Sequence, residues 1–149
     1  MFNKIIVGVD GSEAADKALK MACDIGKKYD AKLYILNSPR EETAALVAAG
    51  YGGYGALAAL PLETHFDEVG ERVVANAAKI AAEEGMQNVE TSVEMGPPSE
   101  AVLKLAKSIG ADLIVVGRRG LGNVASLFLG STSLQIVKNA ECACLTVNP

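Results

Sequence analysis

Two hydrophobic periods alternate along this chain. Residues 4–9 (KIIVGV) and 111–116 (ADLIVV) are short, nearly continuous apolar runs rich in branched side chains. Runs of that length with no polar face predict strands covered on both sides. The first run stops at Asp10-Gly11-Ser12, a turn and helix-cap signal. A helix follows to about Tyr29, with Ala15, Ala18, Leu19, Ala22 and Ile25 on one face. Residues 31–36 form the second strand, which Asn37-Ser38-Pro39 ends because proline cannot donate to a central ladder. Pro61 suits a first helical turn, and the stretch to about Glu84 carries Val69, Val73, Ala77, Ile80 and Ala81 on one stripe until Gly85. Val89–Val93 alternates with polar residues, as an edge strand does. After the stiff turn Gly96-Pro97-Pro98-Ser99, a helix with Val102, Leu105, Ala106 and Ile109 runs to Gly110. A helix over Ser131–Ala140 and a short strand at Ala143–Val147 complete the chain.

Strict alternation of strand and helix predicts right-handed crossovers. The fold class is therefore α/β, a three-layer, doubly wound parallel sheet. Such sheets bind ligands beyond the carboxyl ends of their strands, where the winding reverses. Two strands end in chemistry suited to an anion. The first reaches Asp10. The fourth empties into GRRGLGNVASLFLGSTS, residues 117–133, a glycine-bearing loop with two arginines that leads into a helix. Glycines let backbone N–H groups approach an anion, and the helix N-terminus adds partial positive charge. If these two strands are neighbours, the crevice between them is the site.

Residues 40–60 break the rhythm. They are rich in alanine and glycine around Gly50-Tyr51-Gly52-Gly53-Tyr54-Gly55. Glu41–Ala49 can form a short helix, and the Gly/Tyr centre reads as loop. A lid over the ligand, a surface for a protein partner, and a plain flexible insertion are all open for this segment.

Composition narrows the classes. A length of 149 residues predicts one domain, 1–149, large enough to bury a core. A net charge of −4 argues against non-specific nucleic-acid binding. With no charged-then-apolar leader and no membrane-spanning run, a cytoplasmic protein is expected. The three cysteines include no C-x-x-C pair, so neither a disulfide frame nor a zinc site is expected. Cys142 and Cys144 alternate on one strand face and read as buried thiols.

The G-x-x-x-x-G-K-[ST] phosphate loop is absent. Gly120-Leu121-Gly122-Asn123-Val124-Ala125 matches G-x-G-x-x-A, but it starts several residues after the strand and no acidic residue closes a following strand. The wider pattern Gly117-x2-Gly120-x9-Gly130-Ser131 is more specific. With it the chain resembles the universal stress protein family in its nucleotide-binding branch. The likeness extends to the opening KIIVGVDGS, the Gly96-Pro97 turn, the ADLIVVG strand and the C-terminal strand. It thus covers nearly everything outside about residues 40–60.

The resemblance implies a strand order of 3-2-1-4-5 and an ATP site, also open to ADP or AMP, with Mg²⁺ accompanying the phosphates. It implies that Gly117, Arg119 and Gly120 hold phosphates from one side. Gly130 and Ser131 would hold them from the other, with Thr132 and Ser133 adding hydroxyl donors. Gly8, Val9 and Asp10 would line the adenosine end, Asp10 bonding a polar group of the nucleoside; the competing reading of Asp10 from the residues alone is a helix cap, and the two are compatible. Ser38 matches the adenine-contacting position, where the family usually has an aliphatic residue preceded by His or an aromatic. It further implies a homodimer formed by pairing of the last strands, although Cys-Ala-Cys-Leu-Thr-Val at 142–147 replaces the family's usual C-P-V-L-V-V.

No oriented base or nucleophile accompanies these donors, so hydrolysis or autophosphorylation is expected to be slow at most. His65, in an early helix turn among charges, reads as a surface residue, and Arg118 as a solvated charge. The competing class is an interaction protein of the same family, whose partner surface carries the function. A phospho-accepting regulator is disfavoured, because only Asp10 stands at the first strand and Glu94 ends the third.

Overall fold

The computed structural model describes residues 1–40, 62–118 and 129–149, with side chains from Asp67 onward in the helix that begins at Leu62. The elements are β1 (Lys4–Gly8), α1 (Glu13–Tyr29), β2 (Lys32–Asn37), α2 (Leu62–Glu83), β3 (Val89–Val93), α3 (Pro98–Ile109), β4 (Leu113–Gly117), α4 (Ser131–Asn139) and β5 (Ala143–Val147). Each lies within a residue or two of its sequence expectation. The Gly/Tyr segment, and the short helix expected at 41–49, fall outside the described residues.

The strands form one sheet in the order β3-β2-β1-β4-β5, all pairs parallel. This is the doubly wound α/β arrangement, with β3 at an edge as its alternating pattern requires. β1 is central, and Ile5, Ile6 and Val7 are wholly buried. Successive side chains of a strand point to opposite faces, so β1 feeds two cores. Ile5 and Val7 pack with Leu19 of α1 and Val69 and Val73 of α2. Ile6 packs with Val102 of α3, Ile114 of β4 and Ile136 of α4. Two helices on each face make the three layers.

Local chemistry sets the ends. Ser12 caps α1, its hydroxyl accepting the Ala15 N–H at 3.2 Å. Gly110 closes α3 in the left-handed region (φ 64°), its N–H returning to the Ala106 carbonyl. At the amino ends of the strands, the Asp112 carboxylate accepts the N–H groups of Asn3 (2.8 Å) and Lys4 (2.9 Å). These two donors hold its carboxyl below the ordinary value of 3.8.

α2 lies unusually close to the sheet at Gly70. A Cβ there would stand 2.5 Å from Val93 Cγ1 and 3.3 Å from Asn37 Oδ1. Alanine would gain about 1 kcal/mol of helix propensity. Overpacking against a stiff β-branched neighbour costs about 1–3 kcal/mol, so packing wins. Gly70→Ala is expected to destabilise the fold by about 1 kcal/mol, and the same change in a Val93→Ala background to be neutral or stabilising, read from urea midpoints.

The lowered Asp112 carboxyl has a pH signature. A group whose folded pKa is depressed adds stability above its unfolded value, and that stability is lost as pH falls through the folded one. The stability gap between wild type and Asp112→Asn should therefore be constant from about pH 5 to 8 and close below about pH 4. Urea titrations at several pH values check it.

Candidate functional site

The site is built where β1 and β4 end together. The two strands pair in register from Ile5↔Leu113 to Gly8↔Val116, so their carboxyl ends emerge side by side. From there the chain diverges: α1 follows β1 onto one face, and α4 follows β4 onto the other. A crevice opens between them at the point where the strand order reverses.

The β4 side is pinned at three places. The Arg118 N–H donates to the Val147 carbonyl at 2.6 Å, extending the ladder with β5. The Gly130 N–H donates to the Arg118 carbonyl at 2.9 Å, so the loop returns to the point it left. The Ser133 hydroxyl, 4% exposed, donates to the Gly117 carbonyl at 2.7 Å. The first turn of α4 is thereby fixed against the end of β4. Gly130 is its N-cap, with φ −60° and ψ 152° and no side-chain cap, and no acidic residue stands in the first turn. Helix geometry leaves the N–H groups of Ser131, Thr132 and Ser133 without intrahelical acceptors, at the positive end of the dipole. That end is suited to an anion.

The β1 side is held by side chains from β2. The Val9 N–H bonds to the Leu36 carbonyl at 2.9 Å. The Val9 carbonyl accepts Asn37 Nδ2 at 2.7 Å. Asn37 is 1% exposed, and its Oδ1 has no hydrogen-bond partner among the described residues. Asp10 Oδ1 accepts the Ser12 N–H at 3.0 Å, so Asp10 ties the turn while Ser12 caps the helix. The Ser38 hydroxyl donates to the Gly96 carbonyl at 2.6 Å, joining the end of β2 to the turn after β3. A Cβ on Gly8 would stand 3.2 Å from Val116 Cγ1, so its bareness serves the packing of β1.

Arg40 crosses the gap. Its Nη2 donates to Thr132 Oγ1 at 3.1 Å, linking the chain after β2 to the first turn of α4. Sequence reasoning used Arg40 only as the boundary of the Gly/Ala-rich segment, and Asn37 as a strand stop standing where the family usually has a His or an aromatic. A cation three residues past a strand end, and a polar side chain on a buried strand, were the available signals.

The structure thus brings Gly8, Val9, Asp10, Gly117, Gly130, Ser131, Thr132 and Ser133 to the rim of β1 and β4, with Ser38 at the end of the adjacent β2. Arg119 and Gly120 lie outside the described residues, as does the His65 side chain. Arg118 extends the other way, donating to Asn148 Oδ1 at 3.1 Å. Cys23 is wholly buried, which pushes its thiol up to about 11. Burial also raises Cys142 and Cys144, which pack against the α3/α4 core. Among the described residues no group of three His, Cys, Asp or Glu side chains is placed to hold a metal. A magnesium ion fits here only as a companion of phosphates, needing few protein ligands. No helix among the described residues is long and apolar enough to cross a membrane.

The comparisons with known proteins agree with this fold. The model of the universal stress protein family matches residues 1–148. Universal stress protein YxiE of Bacillus subtilis is 36% identical over 158 aligned residues, spanning 99% of both chains. Among solved structures, a universal stress protein in complex with cAMP shares 27% identity at a TM-score of 0.70, over 98% of this chain and 97% of that one. Universal stress protein UspA from Lactobacillus plantarum shares 25% identity at a TM-score of 0.76, with the same coverage.

The Ser133 bond sets the position of α4. Ser133→Ala removes one buried neutral hydrogen bond and is expected to cost about 1 kcal/mol, measured by chemical denaturation.

Proposed function

This chain belongs to the universal stress protein family, and from that premise we propose that it binds an adenine nucleotide in the crevice between β1 and β4. The observation that carries the reading is the first turn of α4, pinned to the end of β4 by the Ser133–Gly117 and Gly130–Arg118 bonds and left without an acidic residue or a side-chain cap. A bare helix N-terminus fixed beside a strand end offers the N–H donors that a phosphate would need. The relative solved with cAMP supports an adenine nucleotide as the ligand class.

ATP is the occupant proposed, with ADP and AMP as alternatives. Ser131 and Thr132 donate to phosphate from α4, and Gly130 gives close backbone approach. Gly117, Arg119 and Gly120 complete the phosphate end on the strength of the G-x2-G-x9-G-S pattern. Val9 and Asp10 line the adenosine end, with Gly8 behind them and Ser38 beside the base. The Ser133 proton, already on Gly117, makes this residue a brace for the helix. Mg²⁺ enters on the phosphates. Turnover is slow, since the Asp10 carboxylate at the rim is engaged by the Ser12 N–H and no base is set beside a hydroxyl there among the described residues. A second copy of the chain covers the outer edge of β5, the free edge of the sheet at the C-terminal side. The protein works in the cytoplasm.

The first test is to purify the protein, denature it and separate the released small molecules by anion exchange. ATP or ADP near one per chain is the expected result. No nucleotide, with no thermal shift in millimolar Mg-ATP, would overturn the reading in favour of an interaction protein. The variant test uses Gly130, whose backbone angles any residue can adopt. Gly130→Val should fold with an unchanged circular dichroism spectrum and lose nucleotide binding by calorimetry, because its branched side chain occupies the phosphate approach.

A further inference from the structure

We propose that Arg40 is a specificity-determining residue of the crevice, one whose guanidinium takes a phosphate group at the first turn of α4 and so selects phosphorylated ligands over the bare nucleoside. This rests on the nucleotide reading above and adds a residue that the glycine pattern does not contain.

Reach comes first. Arg40 stands three residues past the end of β2 (Lys32–Asn37), directly after Pro39. Thr132 belongs to the helix that follows β4. β1 lies between β2 and β4 in the sheet, so the 3.1 Å bond from Arg40 Nη2 to Thr132 Oγ1 spans the strand end where the crevice opens. The side chain is half-buried and already extended across that mouth.

Electrostatics comes second. A cation beside a helix N-terminus opposes the dipole, where an anion would complement it. Two other helix starts follow the rule: α1 has Glu13 and Asp16 in its first turn, and α3 has Glu100. α4 has none, and it receives Arg40 instead. Among the described residues Arg40 joins no ion pair. A guanidinium held on the first turn of a helix, next to its N–H groups, suits an anion that both can bind. The planar fork of arginine matches two phosphate oxygens, and such charge-assisted pairs exceed neutral hydrogen bonds in strength. The Thr132 hydroxyl, a neutral acceptor, is then the resting partner that a phosphate displaces.

The experiment compares wild type, Arg40→Gln and Arg40→Lys, full length, by calorimetry with adenosine, AMP, ADP and Mg-ATP at two salt concentrations. Arg40→Gln should weaken the phosphorylated ligands by about ten- to a hundredfold, leave adenosine unchanged and flatten the salt dependence. Arg40→Lys should recover part of the loss, since the charge remains while the fork is gone. The ratio of adenosine to AMP affinity within one preparation is insensitive to any unfolded fraction, so a stability effect does not imitate the result. Equal losses for adenosine and AMP, or no loss for either, overturn the Arg40 proposal and leave the nucleotide reading standing. Wild type binding none of the four ligands overturns both.

Discussion

Parallel pairing of β1 with β4 is the constraint on which the rest of this structure depends. Two parallel neighbours cannot be joined by a tight turn, so each carboxyl end must lead into a crossover helix. Because β1 is central and pairs with β2 on its other side, the winding reverses between β1 and β4. α1 then leaves for the face holding Leu19 and Val73, and α4 for the face holding Val102 and Ile136. Nothing in the sheet fills the gap between the departing chains. The crevice follows from topology before any residue in it is specified, and the residues only decide what chemistry it offers.

What they decide is written in the buried polar groups. Among the described residues these are Ser12, Asn37, Ser38 and Ser133, and all of them lie where strands finish. Burying a polar atom is favourable only when it is bonded. Ser12 caps α1, Asn37 holds Val9, Ser38 holds Gly96 and Ser133 holds Gly117. The apolar layers supply stability to the body of the sheet, and this ring of hydrogen bonds supplies geometry to its rim. The unpartnered Oδ1 of Asn37, facing the bare Cα of Gly70, is the cost of placing the amide where its nitrogen reaches Val9.

The strands and helices were legible because their signals are local. The runs at 4–9 and 111–116, the caps at Ser12 and Gly110, and the alternation in Val89–Val93 each need a window of a few residues. The strand order is not local and came with the family likeness, as did the placing of Asp10 beside Gly117. The site was legible in its backbone and less so in its side chains. Ser133 was expected as a donor to a ligand, yet its hydroxyl binds the Gly117 carbonyl. Arg40 was passed over because its partner lies 92 residues away, a separation no periodicity reports. Arg119, Gly120 and residues 41–60 were singled out by composition and lie outside the described residues.

The bond from Gly130 to Arg118 means that the chain closes a circle before α4 begins. Both ends of the intervening stretch are thus held one hydrogen bond apart. Doubling such a loop costs only about 0.6 kcal/mol in closure entropy. Loop closure therefore sets little constraint on how many residues lie there. A glycine kept there at fixed spacing answers to a demand other than loop closure, and comparing its persistence with that of its neighbours across a lineage would read out that demand.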